Sequence, residues 1–419
     1  MQELKWIPKD EWATVQQVAQ VETIWSQQHL KAVVASLQSL SIRCYLVGGV
    51  VRDLLLNREC NDIDLVVECS AEAILEHGAL LAKSTDSTQV PLDAERGTVR
   101  LCFRDGEEID LVSLQGGSLA EDLSRRDLSI NAMTIDSEGN LADPFGGRAD
   151  MKSKLVRALS KSNLSDDPLR VLRCLRFSAQ LRFELDGQTQ ESLQQVAPGL
   201  KNVAGERICA ELRKFFPFAT ERHIMELSEL GLAEILGAPK VSSESWQDQW
   251  ELLKSMAVDK SLNFRCGIAL LLGLVGSDPA TRKSLFLRLR LPKEDRRYLG
   301  HWWDGLREME SWQKVTPKCV FQLQQMTGAA FADLLRLVVT TSSPKAWTDS
   351  DRQILQSEAE GKGELRWADF PWSGGDLVRL SGRQAGAWVG QAHQALRVAW
   401  ACGEVDSEDD VLRLLREIN

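Results

Sequence analysis

The sequence predicts an α+β protein in which a strand-containing head precedes an all-helical remainder. Three observations lead to this class. Short β-rich runs are confined to the first third of the chain, helical periodicity dominates beyond residue 165, and all thirteen tryptophans lie either in residues 1–25 or from Trp246 onward. The tryptophan distribution indicates a boundary near residue 240. A chain of 419 residues is long enough for roughly two to four packed units.

The predicted elements of the head follow one another closely. In chain order they are a helix over residues 28–40, a strand in CYLVGG, a helix over Val50–Leu56, a strand in NDIDLVVE and two β-rich runs in GTVRLCFRDGEEIDLVSL. Arg104-Asp105-Gly106 is a hairpin signal between the last two runs. The strands are therefore expected to form a small mixed or antiparallel sheet.

Composition excludes several classes of protein. The net charge of −10 and the pI near 5.3 argue against a uniformly basic nucleic-acid coat, although a local basic patch stays compatible with RNA binding. The nine cysteines form no CxxC pair, and no histidine lies at zinc-ligand spacing from them. The sequence contains neither an apolar leader segment nor eighteen consecutive uncharged apolar residues. We expect a cytoplasmic protein with reduced thiols and no membrane partner.

Asp62 and Asp64 are the first candidate functional residues. Side chains alternate along a strand, so both carboxylates lie on one face and Ile63 lies on the other. A bound Mg²⁺ relieves the repulsion between them because it takes hard oxygen ligands. A lone DxD more often marks solvated charges on an edge strand, but here Leu65-Val66-Val67 continues as a buried strand.

Gly48-Gly49 lies upstream of this pair, between a predicted strand and a predicted helix. Free N–H groups and the helix dipole at such a helix start favour a triphosphate, and Arg52 adds a charged donor. A GG dipeptide alone is usually just a turn. GG, helix and DxD within seventeen residues, directly after a strand, are far more specific.

This arrangement resembles the nucleotidyltransferase superfamily of DNA polymerase β, and within it the class II, bacterial-type tRNA nucleotidyltransferases and poly(A) polymerases. The resemblance implies a polymerase-β-like catalytic head over residues 1–160, followed by an all-α neck, body and tail. The neck, over 161–240, would recognise the base. The body would span 241–335, and the tail, over 336–419, would bind tRNA.

Further segments carry the resemblance along nearly the whole chain. They are Leu123-Ser124-Arg125-Arg126-Asp127 with Asn131 (RRDxxxN, implied to contact ribose and phosphates), Asp143-Pro144-Phe145-Gly146-Gly147 (a hinge), Asp166-Asp167-Pro168-Leu169-Arg170 with Arg173 and Arg176, Glu206-Arg207 to Glu211-Leu212, and residues 374–400. In the third segment Asp166 replaces the glutamate typical of the family.

Asp167 and Arg170 match one edge of a base. Cytosine offers one amino donor and two acceptors, whereas a carboxylate only accepts and a guanidinium only donates. Asp167 facing N4 and Arg170 facing N3 and O2 would select C, and adenine could be accommodated by a shift. Their i, i+3 spacing predicts one face of a helix. Alternatively, Asp167 caps a helix that starts at Pro168, and Arg170 is its salt-bridge partner.

The resemblance further implies three metal-binding carboxylates and a two-metal mechanism. Asp110 matches the third position best, with Glu108 on the same strand face as the alternative. One Mg²⁺ would activate the tRNA 3′-hydroxyl and the other would hold the triphosphate, with pyrophosphate as the leaving group.

The segment after Asp110 departs from the family pattern. Many members carry a long flexible loop there, which enzymes adding the terminal adenosine are thought to need, whereas here Leu114-Gln115-Gly116-Gly117-Ser118 leads directly into Leu119. Gln115 also replaces the usual arginine. These departures favour addition of two cytidines from CTP to tRNA lacking its CCA end, with the adenosine left to a separate enzyme. Harmless loop-length variation is the alternative.

Three other functions stay open. They are complete CCA addition or A addition, poly(A) synthesis, and an inactive RNA-binding protein on the same fold. A basic run is the candidate for tRNA backbone contacts, although such a run is more often a solvated helix face: Arg282, Lys283, Arg288, Arg290, Lys293, Arg296 and Arg297. Trp302 and Trp303 beside it are expected in the core.

Overall fold

The chain forms two compact units, Met1–Gly231 and Leu232–Asn419. The structure, a computed structural model, describes residues 4–60, 62–238, 250, 260–271, 278–340, 347–360 and 370–417. The boundary expected near residue 240 lies outside the described residues.

The first unit contains an eight-stranded sheet in the order β1-β8-β7-β2-β3-β6-β5-β4. The strands are β1 (Trp6–Ile7), β2 (Cys44–Val47), β3 (Ile63–Val67), β4 (Thr88–Asp93), β5 (Thr98–Cys102), β6 (Glu108–Ser113), β7 (Thr134–Ile135) and β8 (Leu141–Ala142). Neighbouring strands are antiparallel except for β3 and β6, which are parallel. The predicted strands and the β5–β6 hairpin are confirmed, and the sheet is mixed as expected.

β3 and β6 hold two of the candidate carboxylates side by side. Their register sets Asp64 opposite Asp110, with Leu65 opposite Leu111. The leucines are completely buried and anchor both strands in the core, because an uninterrupted apolar run favours a central strand. The core therefore fixes the positions from which the two carboxylates leave the sheet.

Helices make up most of the rest of the first unit. They are α1 (Lys9–Trp12), α2 (Val15–Ser26), α3 (Gln28–Ser39), α4 (Gly49–Leu55), α5 (Ala71–Ser84), α6 (Leu119–Ser124), α7 (Gly147–Lys152), α8 (Lys161–Asp166), α9 (Leu169–Leu181), α10 (Gly187–Val196), α11 (Gly205–Phe215) and α12 (Glu221–Glu229). Helices α4 and α5 pack against the eight-stranded sheet, whereas α9 packs against α11 and α12. The helices expected over 28–40 and 50–56 are confirmed as α3 and α4. Two short parallel strands, β9 (Leu155–Val156) and β10 (Glu184–Leu185), interrupt the helical part.

The segment ahead of α3 extends the head. β1 pairs with β8, the Trp12 indole N–H donates to the Gly139 carbonyl over 3.0 Å, and the Gln17 amide donates to the Leu55 carbonyl at the end of α4 over 3.1 Å. Trp12 is buried. The N-terminal segment thus packs against the β8 edge of the sheet and against the end of α4.

Every regular element described in the second unit is a helix. These are α13 (Leu232–Ile235), α14 (Lys260–Leu271), α15 (Pro279–Arg288), α16 (Lys293–Ser311), α17 (Pro317–Thr327), α18 (Phe331–Thr340), α19 (Asp349–Ala359), α20 (Gly374–Ser381), α21 (Trp388–Ala401) and α22 (Glu408–Glu417). Trp302 and Trp303 are buried, as expected. Among the described residues, no helix is both long enough and apolar enough to cross a membrane.

Candidate active site

A cleft of about 720 Å³ in the first unit brings the sequence-predicted site residues together. All thirteen candidates line it: Gly48, Gly49, Arg52, Asp62, Asp64, Asp110, Arg126, Asp127, Asn131, Asp167, Arg170, Arg173 and Arg176. Eight basic side chains and six acidic ones face this space. Its net positive charge suits a polyphosphate. Two of its carboxylates, Asp64 and Asp110, lie on the adjacent strands β3 and β6.

The carboxylates of Asp62, Asp64 and Asp110 form the acidic part of the cleft. Burial raises the pKa of Asp64, and the charges of Asp110 and Asp62 raise it further, whereas Arg126 opposes them. A cation bound between these oxygens would relieve that repulsion, so the donor set fits a hard divalent ion. Glu108, the alternative third carboxylate, is exposed at the start of β6 and is absent from the cleft lining.

Ligand geometry separates this group from another acidic cluster. Within the described ranges, the trio of possible ligand atoms that all lie within 4.8 Å of one another is His29, Asp105 and Glu107, at the β5–β6 hairpin. The side chains of Asp105 and Glu107 are both exposed, and His29 is already paired with Asp105 over 2.7 Å. Asp62, Asp64 and Asp110 share the cleft, but their ligand atoms do not all lie within that distance of one another. Both oxygens of Asp110 accept hydrogen bonds from Arg100.

The glycine turn lies against an arginine of the cleft. Gly48 has a φ of +73°, and a Cβ on it would lie 3.1 Å from the Arg126 guanidinium. Arg126 is in turn anchored to the buried Asp122 over 3.1 Å. A side chain at Gly48 would therefore be strained by its backbone conformation and would displace a cleft arginine.

Asp127 is the buried centre of a hydrogen-bond network. It accepts from Arg173 over 2.7 Å and from the Asn131 amide over 3.0 Å. Burial alone would raise the pKa of Asp127, but the charge of Arg173 and the hydrogen bond from Asn131 outweigh it and hold the pKa at about 2. The Asn131 oxygen accepts from Arg52 over 2.8 Å. The network therefore fixes two arginines that face the cleft.

The ring of Phe177 contacts three arginines of the cleft. The guanidinium carbons of Arg176, Arg52 and Arg173 lie 4.1, 4.8 and 5.6 Å from the centre of its ring. Arg176 also forms an ion pair with Glu211 of α11 over 2.7 Å. Attraction to the ring face lets three positive charges lie close together with fewer counter-ions. Sequence reasoning missed Phe177, although its position directly after Arg176 is part of the matching segment.

Asp167 and Arg170 both line the cleft, but the expectation that one helix carries them is wrong. α8 ends at Asp166, Asp167 has an extended backbone, and α9 starts only at Leu169 because Pro168 interrupts the helix. Asp167 does accept a weak hydrogen bond from the Leu169 amide, over 3.3 Å. Its ion-pair partner is Arg207 of α11, at 2.8 Å.

Two further cleft residues depend on contacts that the sequence does not reveal. Arg207 and Arg96 both line the cleft. Arg96 lies in the turn between β4 and β5, where its carbonyl accepts from the Gln115 amide over 2.9 Å. The Gln115 amide also donates to the Ser113 carbonyl over 3.0 Å, so it ties this turn to the end of β6. β6 ends at Ser113 and α6 begins at Leu119, which leaves a five-residue connection.

Comparisons with known proteins agree with this architecture. Residues 44–157 match the Poly A polymerase head domain, and residues 182–242 match the family described as probable RNA and SrmB- binding site of polymerase A. A CC-adding tRNA nucleotidyltransferase of Geobacter sulfurreducens is 36% identical over 222 residues, which is 52% of this chain and 51% of that protein. A CCA-adding enzyme of a Geobacillus species is 28% identical over 407 residues, covering 91% and 95%.

The fold likeness extends over the whole length. The solved Thermotoga maritima CCA-adding enzyme, complexed with tRNA, is 22% identical, covers 100% of both chains and has a TM-score of 0.73. The head sheet and the helical remainder therefore have the fold of that CCA-adding enzyme. The chain contains the head domain and the probable RNA-binding domain of poly(A) polymerases, and the relatives named above are a CC-adding tRNA nucleotidyltransferase and a CCA-adding enzyme.

Proposed function

We propose that this protein adds two cytidines from CTP to the 3′ end of tRNA that lacks its CCA sequence, with release of pyrophosphate. The observation that carries the proposal is the single cleft in which three carboxylates, the arginine network and the Asp167–Arg170 edge meet. Relatives that act on tRNA carry both CC-adding and CCA-adding names. A cytoplasmic location would suit this substrate.

Asp62, Asp64 and Asp110 are the residues that would hold two Mg²⁺ ions. Bound there, the ions would supply activation of the tRNA 3′-hydroxyl and neutralisation of the triphosphate. Asp64 and Asp110 are directly opposite each other on adjacent parallel strands, so their side chains leave the same face of the sheet. The preference for Asp110 over Glu108 rests on this register and on the exposure of Glu108.

The incoming nucleotide would lie along the arginines. Gly48 and Gly49 leave room beside Arg126, whose guanidinium would contact the phosphates. Arg52 and Arg173, fixed by the Asn131–Asp127 pair, add two further positive charges. Because these donors are held in place before the nucleotide binds, little ordering is needed on binding.

Base selection would depend on Asp167 and Arg170. The Arg170 guanidinium donates to the Asn163 carbonyl over 3.0 Å, which leaves other N–H groups for N3 and O2 of cytosine. Asp167 is held by its ion pair with Arg207, so its orientation would not depend on the base. This arrangement resists uracil, because uracil would set a carbonyl oxygen against the carboxylate.

The helical remainder would bind tRNA by shape, with base recognition in residues 161–240, a body over 241–335 and a tRNA-binding tail over 336–419. In the body, Arg282, Lys283 and Arg296 line a small cleft of about 230 Å³. The Arg282 guanidinium lies 5.1 Å from the centre of the Trp303 ring. A phosphate bound among these cations would be contacted through its charge and not through sequence.

Arrest after two cytidines would follow from the short connection Leu114–Ser118. Its tight path is fixed by Gln115 and by two glycines with positive φ, Gly116 and Gly117. A segment this short and this well anchored offers no flexible arm near the cleft. A separate A-adding enzyme would then complete the tRNA. Complete CCA addition is the second candidate, favoured by the CCA-adding relative that aligns along 91% of the chain.

The deciding experiment supplies the purified protein with tRNA ending at the discriminator base, or already ending in CC. Labelled CTP or ATP and Mg²⁺ are added, and products are resolved at single-nucleotide length. Two cytidines and no adenosine on the first substrate support the proposal. Ready addition of adenosine to the CC-ending tRNA would identify a CCA-adding enzyme instead. No incorporation on either substrate would favour an inactive RNA-binding protein.

A further inference from the structure

Arg100, on β5, forms the most extensive contact with the third carboxylate. Its Nε donates to Asp110 Oδ1 over 2.8 Å and its Nη2 donates to Asp110 Oδ2 over 3.0 Å. The remaining nitrogen, Nη1, donates to Glu108 Oε2 over 2.5 Å. One guanidinium therefore holds both oxygens of Asp110 and one oxygen of Glu108.

The sheet register explains why this contact forms. Arg100 is directly opposite Asp110 on β5 and β6, and Asp110 is directly opposite Asp64 on β6 and β3. Side chains opposite one another on neighbouring strands share a face. Arg100, Asp110 and Asp64 thus form one row across three strands, with the positive charge on the side away from Asp64.

Pairing with Arg100 and binding a metal ion would compete for the oxygens of Asp110. A carboxylate whose two oxygens both accept from a guanidinium has its charge compensated and its orientation fixed. A divalent ion bound with Asp62 and Asp64 requires the same oxygens, turned toward β3. Arg100 is absent from the residues that line the cleft, so its direct contact with the site is the one with Asp110, although its charge also acts to lower the pKa of Asp64.

We propose that Arg100 is a positioning residue that holds Asp110 away from the metal-binding position until a divalent ion is bound, and that Glu108 accepts the guanidinium when Asp110 turns. The inference rests on the proposed metal-binding role of the three aspartates. It gives Glu108 a function as the alternative partner of Arg100, which agrees with its exposed position outside the cleft. Removing the positive charge at Arg100 should strengthen ion binding by the nucleotide-free protein.

The test measures Mn²⁺ affinity of the full-length protein without nucleotide, by electron paramagnetic resonance of free Mn²⁺. Arg100→Gln should tighten binding roughly tenfold, because one charge-assisted pair no longer competes. Arg100→Lys, which keeps the charge but loses the fork, should lie between Arg100→Gln and the wild type. Arg104→Gln is the matched control, since Arg104 lies on the same hairpin, is exposed and pairs with Asp86.

A double-mutant cycle shows whether the effect acts through Asp110. Asp110→Asn should weaken Mn²⁺ binding, and adding Arg100→Gln to it should produce a much smaller gain than in the wild type, because only the weak effect of the Arg100 charge on Asp64 is left. An Arg100→Gln affinity within twofold of the wild type would overturn the inference, as would an equal gain in the Asp110→Asn background. Arg100→Lys provides the same decision if Arg100→Gln does not fold.

The outcome is distinguishable from failure of the proposed function. If Asp62→Ala abolishes both Mn²⁺ binding and cytidine incorporation while Arg100→Gln binds like the wild type, only the role of Arg100 is wrong. If Asp62→Ala and Asp110→Asn bind Mn²⁺ like the wild type, the proposed metal site itself is wrong, and the inference about Arg100 fails with it.

Discussion

The substitution Asp167→Asn tests base selection with almost no change in size. The Asp167 carboxylate already accepts from Arg207 over 2.8 Å and 3.3 Å and from the Leu169 amide over 3.3 Å. An ionised carboxylate has about four acceptor positions, so one is left for the amino group of cytosine. The side-chain oxygen of asparagine has only two acceptor positions. The side-chain amino group of the asparagine would then face the amino group of the base.

The expected loss is that of one charge-assisted hydrogen bond in the transition state. Such bonds contribute about 1.5–3 kcal/mol, so kcat/KM for CTP should fall roughly 10- to 150-fold. The value for UTP should rise, because the new amide donor meets the uracil O4 where a carboxylate repelled it. Stability should change little, since the side chain of Arg207 is 52% exposed and exposed ion pairs contribute only about 0–1 kcal/mol.

The assay compares single-nucleotide incorporation of CTP and UTP onto tRNA ending at the discriminator base. Asp166→Asn is the matched control, because Asp166 is the exposed neighbour and does not line the cleft. The ratio of kcat/KM for CTP to that for UTP should fall at least tenfold in Asp167→Asn and stay unchanged in Asp166→Asn. A ratio within twofold of the wild type in Asp167→Asn would refute the base-reading role.

Three further predictions concern the metal site, the arginine network and the glycine turn. Asp62→Ala or Asp64→Ala should abolish incorporation with an unchanged circular dichroism spectrum; turnover at a wild-type rate would contradict the metal assignment. The pKa of Asp127, about 2 against an ordinary 3.8, provides about 2 kcal/mol that is present above about pH 4 and is lost as the pH falls toward 2. Asp127→Asn should therefore lower the free energy of unfolding in urea at pH 7, and its difference from the wild type should shrink below pH 4; a constant difference would argue against this linkage. Gly48→Ala should lower Tm and raise KM for CTP, since a Cβ at φ +73° costs about 1–2 kcal/mol and meets Arg126; an unchanged KM would remove Arg126 from the phosphate site.

The sequence predicted the parts of the site that depend on neighbours in the chain. β2, the glycine turn, α4 and β3 follow one another within the 24 residues from Cys44 to Val67, and each has a local signal in apolar runs, glycine or strand alternation. The hairpin that carries Asp110 was predicted from its turn residues. These local signals predict the elements correctly because backbone preferences and the burial of one face are determined by residues close together in the chain.

The contacts missed from the sequence join residues that are far apart along the chain. β1 and β8 are two residues each and pair across more than 130 positions, so neither has a pattern that predicts the other. The helical position of Asp167 was predicted wrongly because the i, i+3 rule was applied across Pro168, where the helix starts anew. Arg207 reaches Asp167 only because α11 packs against α9.

Two of the cleft's carboxylates are thus held by arginines that sequence reasoning did not assign to the site. Asp110 is paired with Arg100, and Asp167 with Arg207. In both pairs the aspartate lines the cleft. Without the arginine, repulsion from acidic neighbours or contact with solvent would determine the orientation of its carboxylate. The arginine paired with each carboxylate fixes the orientation of the acceptor oxygens before the substrate binds. A cation or a base that binds the same oxygens must then share them with the arginine or replace it. Asp167 can bind a base while it stays paired with Arg207, because one of its acceptor positions is free. Both oxygens of Asp110 are engaged by Arg100, so Asp110 must release Arg100 to bind a cation.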